Sequence, residues 1–432
     1  MKRRSFIKNL STGIGSLALL PGLAPEIPDR LTRLTEELAA MSTPDDLWKR
    51  VRKEFQFNPG VVHFNSATLG ATPRLVLDAM SSYVYKLEGN PAVNMFGWGG
   101  SQMEEVRAKA ADFIGAKLEE VAFTRNTTEG MNAIADGLDL KAGDQILTTN
   151  HEHGGGMVGW QNLRKKLGVE IVYAKMPRFA RSKQQLVDLI AERITPKTRV
   201  CSLSHIDTIT GVRMPLPEIS VIMREKDIIL VGDGAQAPGQ IQVDVSVLGV
   251  DAYAYSAHKW FLGPKGSGVL YIRKETQDRI RPTLLYSGYS SYSASSGTRN
   301  AAHIMGQRVT IEFHDSIGRD KIEDRCRELS GYLRTQLVEM PELTIMTPEN
   351  PELSCGIVTC TLNKGKNSEI VARMRDEHGI ILKAAQGTYA YSTEDGLDRE
   401  NYNAIRFSTH IFNSKAEIDH VTARLGEMFA EF

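Results

Sequence analysis

Cysteine is scarce in this 432-residue sequence, which has four: Cys201, Cys326, Cys355 and Cys360. Their number and scattered spacing are unsuited to a disulfide-stapled scaffold, and they form no Cys-x-x-Cys pair of the kind that binds zinc. Cys201 and Cys360 lie in apolar, strand-like runs, so we expect them to be small core residues. The sequence therefore excludes a disulfide framework as the basis of the fold.

A charge imbalance is also absent. Lysine plus arginine and aspartate plus glutamate each number 52, which gives a formal net charge of zero. This balance gives no sign of the basic surface of a nucleic-acid-binding protein or of an acidic tail. Hydrophobic residues (41%) and charged residues (24%) are near the averages of soluble globular proteins. We therefore expect the partner to be a small molecule or a second copy of the chain, not a nucleic acid.

Long apolar runs are missing as well. The stretch 14–23 is too short and too glycine-rich to span a membrane stably. It follows Met1-Lys2-Arg3-Arg4-Ser5-Phe6-Ile7-Lys8, which looks like a twin-arginine export signal, and small residues near Ala24 suit a peptidase. We predict a signal peptide at residues 1–24, a periplasmic or exported protein, and no other membrane association. The alternative is a basic amphipathic start on a cytoplasmic protein.

Short β-branched runs alternate with helical segments between about residues 121 and 272. The strand candidates are Val121–Thr124, Gln145–Thr149, Val169–Tyr173, Arg199–Leu203, Asp227–Val231, Asp251–Ser256 and Gly268–Ile272. Because they are almost continuously apolar, we expect these strands to be buried on both faces. The alternation predicts an α/β fold with a mostly parallel seven-stranded sheet. Ligands bind such sheets outside the carboxyl ends of the strands.

The length exceeds the usual size of one hydrophobic core, which favours a large domain and a smaller one. After Gly318 the pattern changes to a long helix, several strands and a final helix from Lys415, which is typical of a compact α+β unit. We predict an N-terminal arm with a helix at residues 25–60, packed near that unit. The large domain is predicted at residues 61–317 and the smaller C-terminal α+β domain at residues 318–432.

Lys259 lies within Ser256-Ala257-His258-Lys259-Trp260-Phe261-Leu262-Gly263-Pro264-Lys265-Gly266. The segment follows a predicted buried strand, where partial desolvation lowers the pKa of a lysine and makes its free amine available for a Schiff base. The glycines let the backbone turn tightly beside a ligand. A solvated surface lysine is the ordinary alternative, and the surrounding motifs decide between the two.

Two further polar clusters follow predicted strands. Asp233-Gly234-Ala235-Gln236 places a carboxylate where it can pair with a protonated ring nitrogen of a cofactor, with Gln236 near a ring oxygen. A helix N-cap aspartate is the alternative. Thr124-Arg125-Asn126-Thr127-Thr128-Glu129-Gly130 joins a strand to a helix, where hydroxyls and unpaired N–H groups can bind a phosphate. The alternative there is a capping box with threonine as the cap.

A histidine cluster, Asn150-His151-Glu152-His153-Gly154-Gly155-Gly156, follows another predicted strand. An imidazole here can stack on an aromatic ring. Zinc binding is the competing interpretation, but the spacing is not His-Glu-x-x-His and no third ligand is evident. The three glycines are expected to exclude a stable helix directly after the cluster. We therefore predict no metal.

Taken in order along the chain, these motifs resemble the class V aminotransferases, a family of fold-type-I pyridoxal-phosphate (PLP) enzymes that also contains cysteine desulfurases and isopenicillin N epimerases. The resemblance runs from about Val62 to the C-terminus. It rests on the clusters above together with Gly297-Thr298 and Arg406-Phe407-Ser408. It implies the fold-type-I architecture, PLP as the cofactor and a homodimer with shared active sites.

The resemblance also implies roles for the residues around the cofactor ring. Lys259 would carry the cofactor as a Schiff base and then remove the α-proton of an amino-acid substrate. Asp233 would pair with the ring nitrogen, Gln236 would contact the phenolic oxygen, and His153 would stack on the ring. We place His205 near the ring as a candidate substrate contact.

The same resemblance implies which residues bind the cofactor phosphate and which bind the substrate. The residues implied at the phosphate are Thr128, Ser256 and His258, with Thr127 as a neighbour and Thr298 reaching in from a second subunit. Arg406 would clamp the substrate carboxylate through a bidentate pair. An exposed arginine on an edge strand is the ordinary alternative for Arg406.

One departure from the family matters for function. Cysteine desulfurases use a nucleophilic cysteine on a mobile loop before the carboxylate-binding arginine, and Leu382-Lys383-Ala384-Ala385-Gln386-Gly387-Thr388-Tyr389 contains none. Ser204-His205-Ile206-Asp207-Thr208-Ile209-Thr210-Gly211 also looks more like the epimerase branch. We predict an aminotransferase or an isopenicillin N epimerase-like epimerase acting at the α-carbon of an amino acid. The alternative is a C–S or other β-lyase, ahead of a zinc hydrolase or an inactive binding protein of this fold.

Overall fold

The computed structural model describes residues 26–385, 387–388 and 400–431. The export signal predicted at residues 1–24 lies outside these ranges. Gln386 and Tyr389, in the segment compared with the desulfurase loop, also lie outside them.

Helices and strands follow one another in the order expected from the sequence. The first part contains α1 (Glu26–Ala39), α2 (Pro44–Arg52), β1 (Val62–His63), α3 (Arg74–Glu88), α4 (Pro91–Asn94), a π-helical turn (Met95–Gly99) and α5 (Gly100–Phe113). The middle part contains β2 (Val121–Thr124), α6 (Thr127–Asp136), β3 (Gln145–Thr149), α7 (Gly154–Leu167), β4 (Glu170–Ala174), α8 (Lys183–Ala191), β5 (Thr198–Ser204), α9 (Leu216–Glu225), β6 (Ile229–Asp233), α10 (Val245–Leu248), β7 (Ala252–Ser256) and β8 (Gly268–Ile272). The last part contains α11 (Ala301–Ile317), α12 (Arg319–Leu337), β9 (Leu343–Ile345), β10 (Ile357–Leu362), α13 (Asn367–His378), β11 (Ile380–Ile381), β12 (Lys383–Ala385), β13 (Ala404–Ser408) and α14 (Lys415–Ala430). Within the described ranges, no helix is both long enough and apolar enough to cross a membrane.

The central sheet has seven strands in the order β2-β8-β7-β6-β5-β3-β4. The pairs from β7 to β4 are parallel, whereas β8 runs antiparallel to both β7 and β2. The predicted α/β class with a mostly parallel seven-stranded sheet is therefore confirmed. β2, β3 and β8 have the predicted bounds, and the other four strands differ from them by one or two residues.

Side chains alternate between the two faces of this sheet, and each face packs on its own helices. On the first face, Ala254 lies in a core cluster with Ile134 of α6 and Met157 of α7. On the second face, Tyr253 lies in a separate cluster with Ile219 of α9. A ligand at the carboxyl edge can therefore meet the starts of α6 and α7 only on the first face.

The smaller unit is an antiparallel sheet in the order β12-β13-β10-β9, with α12, α13 and α14 packed against it. β13 is an interior strand and Arg406 on it is buried, so the edge-strand alternative for Arg406 is wrong. β1 pairs in parallel with β11, through Val62 with Ile380 and His63 with Ile381. The first residues of the predicted large domain therefore join the smaller unit.

The N-terminal arm contains two helices and contacts both parts of the molecule. In α1, Ile27 packs with Leu75 of α3 and Val309 of α11. In α2, Arg52 donates a hydrogen bond to the carbonyl of Phe412 at 2.7 Å. Packing near the smaller unit was predicted, but α1 lies against helices of the large part of the chain.

Candidate active site

Four strands bring the predicted polar clusters to one edge of the central sheet. The last residues of β2, β3, β6 and β7 are Thr124, Thr149, Asp233 and Ser256, and all four are buried. These strands run in the same direction, so their carboxyl ends meet at one edge. This edge holds polar groups beside an otherwise apolar sheet.

Lys259 lies in the loop that begins directly after β7. The carbonyl of Trp260 accepts a hydrogen bond from Nε2 of His410 at 2.7 Å. The carbonyl of Phe261 accepts one from Nε2 of His314 at 2.8 Å. Because His410 belongs to the smaller unit and His314 to α11, separate parts of the molecule fix the backbone that carries the lysine.

A second loop presses against the same backbone. The N–H of Gly70 donates to the carbonyl of His258 at 2.8 Å. A Cβ atom at Gly70 would overlap the carbonyl oxygen of Lys259, so the loop can approach this closely only with glycine.

Burial and the neighbouring charges act on the pKa of the Lys259 amine in opposite directions. Burial, together with the positive charge of Arg406, lowers the pKa of Lys259 to about 8, although the negative charge of Asp233 acts in the opposite direction. Among the described residues, none forms a hydrogen bond with the Nζ atom. A half-buried amine with a lowered pKa is suited to covalent attachment of an aldehyde and to proton transfer.

The two carboxylate oxygens of Asp233 have different surroundings. Oδ1 accepts a hydrogen bond from the N–H of Ala235 at 3.0 Å. Oδ2 faces the start of α7, where a Cβ at Gly156 would lie 2.6 Å from it. Burial raises the pKa of Asp233, against the effects of the Ala235 N–H and the charge of Lys259. A protonated ring nitrogen beside Oδ2 would give this buried carboxylate an opposite charge.

The expectation that three glycines exclude a helix is wrong, because α7 begins at Gly154. His153 caps this helix by accepting a hydrogen bond at Nδ1 from the N–H of Gly155 at 3.0 Å. A Cβ at Gly155 would overlap Oγ1 of Thr128. The close approach of this helix start to Thr128 requires glycine and outweighs its low helix propensity, which costs about 1 kcal/mol per residue.

The ring of His153 is neutral near pH 7. Desolvation and the positive charges of Lys259, Arg406 and Lys383 lower its pKa to about 4. Because Nδ1 accepts a hydrogen bond, the single proton of the neutral ring is on Nε2. A neutral imidazole at this edge is suited to stacking on a pyridine ring.

The start of α6 forms the predicted phosphate end. Oγ of Ser256 lies 2.7 Å from Oγ1 of Thr127 and accepts a hydrogen bond from the N–H of Thr127 at 2.8 Å. Asn126, not a threonine, caps the helix. This leaves the N–H of Thr128 at the open end of the helix, where an anion is favoured. Burial and the charges of Lys259 and Lys265 lower the pKa of the nearby His258 to about 4.

Arg406 is held by neutral oxygens. Its Nη1 donates to the carbonyl and to Oγ1 of Thr208, at 2.9 and 2.6 Å. Its Nη2 donates to Oγ1 of Thr68 at 2.9 Å and lies 3.4 Å from Oδ1 of Asn65. The guanidinium is thus buried and oriented, as carboxylate recognition requires.

Gln236 and Arg406 both donate hydrogen bonds to Oγ1 of Thr208. Its Nε2 donates to the carbonyl of Ala67 at 2.9 Å and to Oγ1 of Thr208 at 3.0 Å, and its Oε1 accepts from Nε1 of Trp260 at 2.8 Å. Both N–H bonds of Gln236 are therefore used within the protein. A contact with the phenolic oxygen of the cofactor would replace one of them.

His205 lies away from this group, so its predicted position near the ring is wrong. Its Nδ1 lies 2.8 Å from the hydroxyl of Tyr253, on the second face of the sheet. The preceding residue, Ser204, binds Glu152 at the carboxyl edge. Because neighbouring side chains along an extended chain point in opposite directions, the two residues diverge.

Thr298 is exposed. It lines a cavity of about 340 Å³ with Thr124, Arg125, Gly266 and Arg299. The reach of Thr298 into a second subunit stays a prediction.

His151 belongs to a buried hydrogen-bond chain. Its Nδ1 lies 3.0 Å from Oδ2 of Asp207, and its Nε2 lies 3.0 Å from the hydroxyl of Tyr402. Over the described ranges, no group of three or more histidine, cysteine, aspartate or glutamate side chains is arranged to hold a metal ion. Both ring nitrogens of His151 are therefore used in joining the central sheet to the smaller unit.

Several residues of the site were missed by sequence reasoning. Glu152 is buried, and its oxygens accept hydrogen bonds from the hydroxyls of Thr149 (2.7 Å) and Ser204 (2.6 Å). Burial and the charge of Asp233 raise the pKa of Glu152 to about 8. Thr208 was also missed; it lies four residues after the end of β5, and this position at the carboxyl edge is the signal that could have found it.

The four cysteines are all buried. The expectation that Cys201 and Cys360 are core residues is confirmed, since both are fully buried. Burial raises the pKa of Cys355 to about 11 and that of Cys360 to about 12. None of the four offers the exposed thiolate on which nucleophilic attack depends.

The sequence model of the family described as Aminotransferase class-V matches residues 61–421. The chain belongs to the class V aminotransferase family. A probable cysteine desulfurase of Pyrococcus abyssi is 31% identical over 407 aligned residues, covering 90% of this chain and 98% of that protein. An isopenicillin N epimerase of Streptomyces clavuligerus is 25% identical over 404 aligned residues, covering 89% of this chain and 99% of that protein.

Solved structures agree with the family. The apo cysteine desulfurase of Thermococcus onnurineus NA1 is 27% identical, with a TM-score of 0.77, and covers 91% of this chain and 100% of its own. The complex between the cystine C-S lyase C-DES and its reaction product cysteine persulfide is 25% identical, with a TM-score of 0.73, and covers 84% of this chain and 96% of its own. The predicted family and the fold-type-I architecture are confirmed.

The site of this class V aminotransferase family member fits PLP. The glycines at the start of α7 keep clear the space that a Cβ would fill beside Thr128 and Asp233. Oδ2 of Asp233 can meet the ring nitrogen, the start of α6 can meet the phosphate, and the amine of Lys259 can meet the aldehyde. These groups match the charge and polarity of the three ends of the cofactor.

Proposed function

We propose that the protein is a PLP-dependent enzyme that acts at the α-carbon of an amino acid, as an epimerase or an aminotransferase. The observation that carries this proposal is the position of Lys259, whose half-buried amine is influenced by both Asp233 and Arg406. Bound PLP supplies a cationic ring that stabilises negative charge on the α-carbon. The amine of Lys259, with a pKa of about 8, removes and holds the proton from that carbon.

Arg406 supports an amino-acid substrate. A substrate carboxylate can accept two parallel N–H bonds from its guanidinium in place of the hydroxyls of Thr208 and Thr68. Such a pair orients the α-carbon, because the carboxylate is bonded directly to it. The site therefore favours a free α-amino acid as the substrate class.

The fate of the proton distinguishes the two activities. Its return to the opposite face of the α-carbon inverts configuration, whereas its delivery to the cofactor transfers the amino group. Similarity to an isopenicillin N epimerase supports the first outcome, and membership of the class V aminotransferase family supports the second.

A C–S lyase is the second candidate, favoured by the similarity to the cystine C-S lyase structure. The burial of all four cysteines counts against a desulfurase reaction, which depends on a nucleophilic thiol. A lyase has no such need, since removal of the α-proton is enough to expel a sulfur substituent from the neighbouring carbon.

A panel of L- and D-amino acids and cystine tests these activities together. We expect α-proton exchange in deuterated water with at least one substrate, and its loss in Lys259→Ala but not in the control Lys274→Ala, which changes an exposed lysine. Chirality, ketoacid and persulfide measurements on the same samples identify the outcome. Undiminished exchange in Lys259→Ala would refute the role of this amine.

Assembly and location belong to the same proposal. The exposed Thr298 beside Thr124 and Arg125 supports a homodimer in which one subunit contributes to the phosphate end of the other. Sedimentation of the holoenzyme is expected to give a dimer, and a monomer with full activity would contradict it. Export is tested by cell fractionation of the full chain and of an Arg3→Lys/Arg4→Lys variant, which is expected to stay in the cytoplasm.

A further inference from the structure

A second cavity, of about 310 Å³, lies on the second face of the central sheet, between the loop after β5 and the smaller unit. Its volume is in the range of small-molecule sites. The proposed reaction uses none of its lining. The apolar part of the lining is formed by Met214, Pro215, Pro217, Leu248 and Pro351.

His205 lines this cavity and carries a buried ring nitrogen without a hydrogen-bond partner. It is about 1% exposed, its Nε2 has no partner, and burial with the charge of Arg213 lowers its pKa to about 3, so the ring is neutral. The phenol of Tyr253 keeps its proton, because burial raises its pKa well above the usual value. That proton is satisfied by donation to Nδ1 of His205, 2.8 Å away, which leaves the ring proton on Nε2.

Arg213 adds a positive charge. Its guanidinium is half-buried and has no hydrogen bond or ion pair with any of the described residues. Its backbone is fixed, since its N–H donates to the carbonyl of Leu353 at 2.8 Å and it forms a β-bridge with Ile206. The cavity lining therefore contains a cation on a fixed backbone and an imidazole N–H donor, each without an acceptor among the described residues.

The other two cations of the lining have carboxylate partners. Lys183 pairs with Glu218 and Glu352, both at 3.3 Å. Arg327 pairs with Glu323 at 2.9 Å. Lys183 thus has two carboxylate partners and Arg327 has one, so Arg213 is the one cation without an ion pair among the described residues that line this cavity.

We propose that Arg213 and Nε2 of His205 bind the carboxylate of a small ligand with a short apolar body, at a site separate from the cofactor. The planar guanidinium matches a carboxylate, which can accept from it and from the imidazole N–H together. The apolar wall receives the rest of the ligand.

The proposed carboxylate site contacts β6, the strand that ends in Asp233. The N–H of His205 donates to the carbonyl of Asp233 at 2.8 Å, and a Cβ at Gly232 would lie 2.6 Å from the ring of Tyr253. Binding also bridges the central sheet and the smaller unit, which meet at the cavity. A ligand there is therefore expected to raise the melting temperature of the holoenzyme.

Calorimetric titration of the holoenzyme with butyrate, butyramide and inorganic phosphate tests the proposal. We expect saturable binding of butyrate, a shift of the melting temperature to a higher value, and no binding of the neutral butyramide. Tighter Arg213-dependent binding of phosphate than of butyrate would overturn the assignment to a carboxylate. Equal binding of butyramide would overturn the role of charge.

Three variants locate the binding. Arg213→Met is expected to weaken butyrate binding by about tenfold or more. Arg224→Met, the same change at an exposed position on α9, is expected to leave it unchanged. Arg406→Lys separates this site from the substrate site, and butyrate binding that disappears in Arg406→Lys but persists in Arg213→Met would refute the proposal.

The tautomer of His205 gives a test that does not depend on a folded Arg213 variant. In ¹⁵N-histidine-labelled holoenzyme, the His205 signals, assigned by comparison with His205→Asn, are expected to show a protonated Nε2 that shifts with butyrate. A ring protonated at Nδ1, or one unaffected by saturating butyrate, would contradict the proposal.

Discussion

At the scale of single residues, the chemistry depends on a few charges that are placed close to Lys259 and only partly cancel. Burial and Arg406 favour the neutral amine, whereas Asp233 favours the charged one, and the net effect lowers the pKa of Lys259 to about 8. Asp233 also faces the proposed position of the cofactor, and Arg406 faces that of the substrate. Substitution of either is therefore expected to change binding and reactivity separately.

Arg406→Lys is expected to weaken substrate binding, because a lysine cannot form the parallel pair of N–H bonds. The loss of a charged hydrogen bond, about 1.5–3 kcal/mol, corresponds to a roughly 10- to 150-fold rise in KM. Steady-state kinetics of the variant measure this change, with Arg224→Lys at an exposed position as the control. An unchanged KM would remove Arg406 from the substrate site.

The residues with distinctive local motifs were the ones that the sequence could predict. Lys259 and Asp233 lie in motifs that follow strands, and the structure brings them to one edge. Thr208 and Thr68 have no such motif, and their contacts with Arg406 join positions 198 and 338 residues apart. Such contacts depend on how the smaller unit packs, which local patterns do not encode.

At the scale of elements, the start of α7 shows how tertiary contacts override local preference. Glycine disfavours a helix in isolation, yet this helix begins in a run of three. A side chain at these positions would collide with groups that the site needs. The prediction of no helix failed because it weighed propensity without these contacts, whereas the strands were predictable from their apolar, β-branched runs alone.

Gly156→Ala is expected to weaken PLP binding by about tenfold or more, because the new methyl group would displace Oδ2 of Asp233. Titration of the apoprotein with PLP, followed by absorbance, measures this change. Gly331→Ala is a matched control, since a Cβ at that helical glycine meets no atom within 4 Å. Equal PLP affinity in the two variants would show that the start of α7 does not shape the cofactor site.

At the scale of the whole molecule, buried neutral histidines join the parts of the chain. His314 donates to the carbonyl of Phe261 and stacks on its ring, with the centroids 5.5 Å apart. Burial lowers the pKa of His314 to about 4 and that of His410 to about 3. Both residues hold the loop of Lys259, so acid that protonates them acts on the active site and on stability together.

The pH dependence of unfolding follows from these shifts. His314 is neutral in the folded state down to about pH 4 but titrates near 6.5 when unfolded, so its contribution is complete above pH 6.5 and is lost as the pH falls towards 4. His314→Gln is expected to make the slope of unfolding free energy against pH shallower by about 1 kcal/mol per pH unit between pH 4.5 and 6. Urea titrations at several pH values measure the slope. An equal change in the exposed control His420→Gln would contradict the assignment.

Reductive trapping tests the central claim most directly. Borohydride treatment of the holoenzyme, followed by digestion and mass spectrometry, is expected to place a phosphopyridoxyl group on Lys259 and to bleach the absorbance of the cofactor. An adduct on another lysine, or no adduct after loading with PLP, would contradict the account.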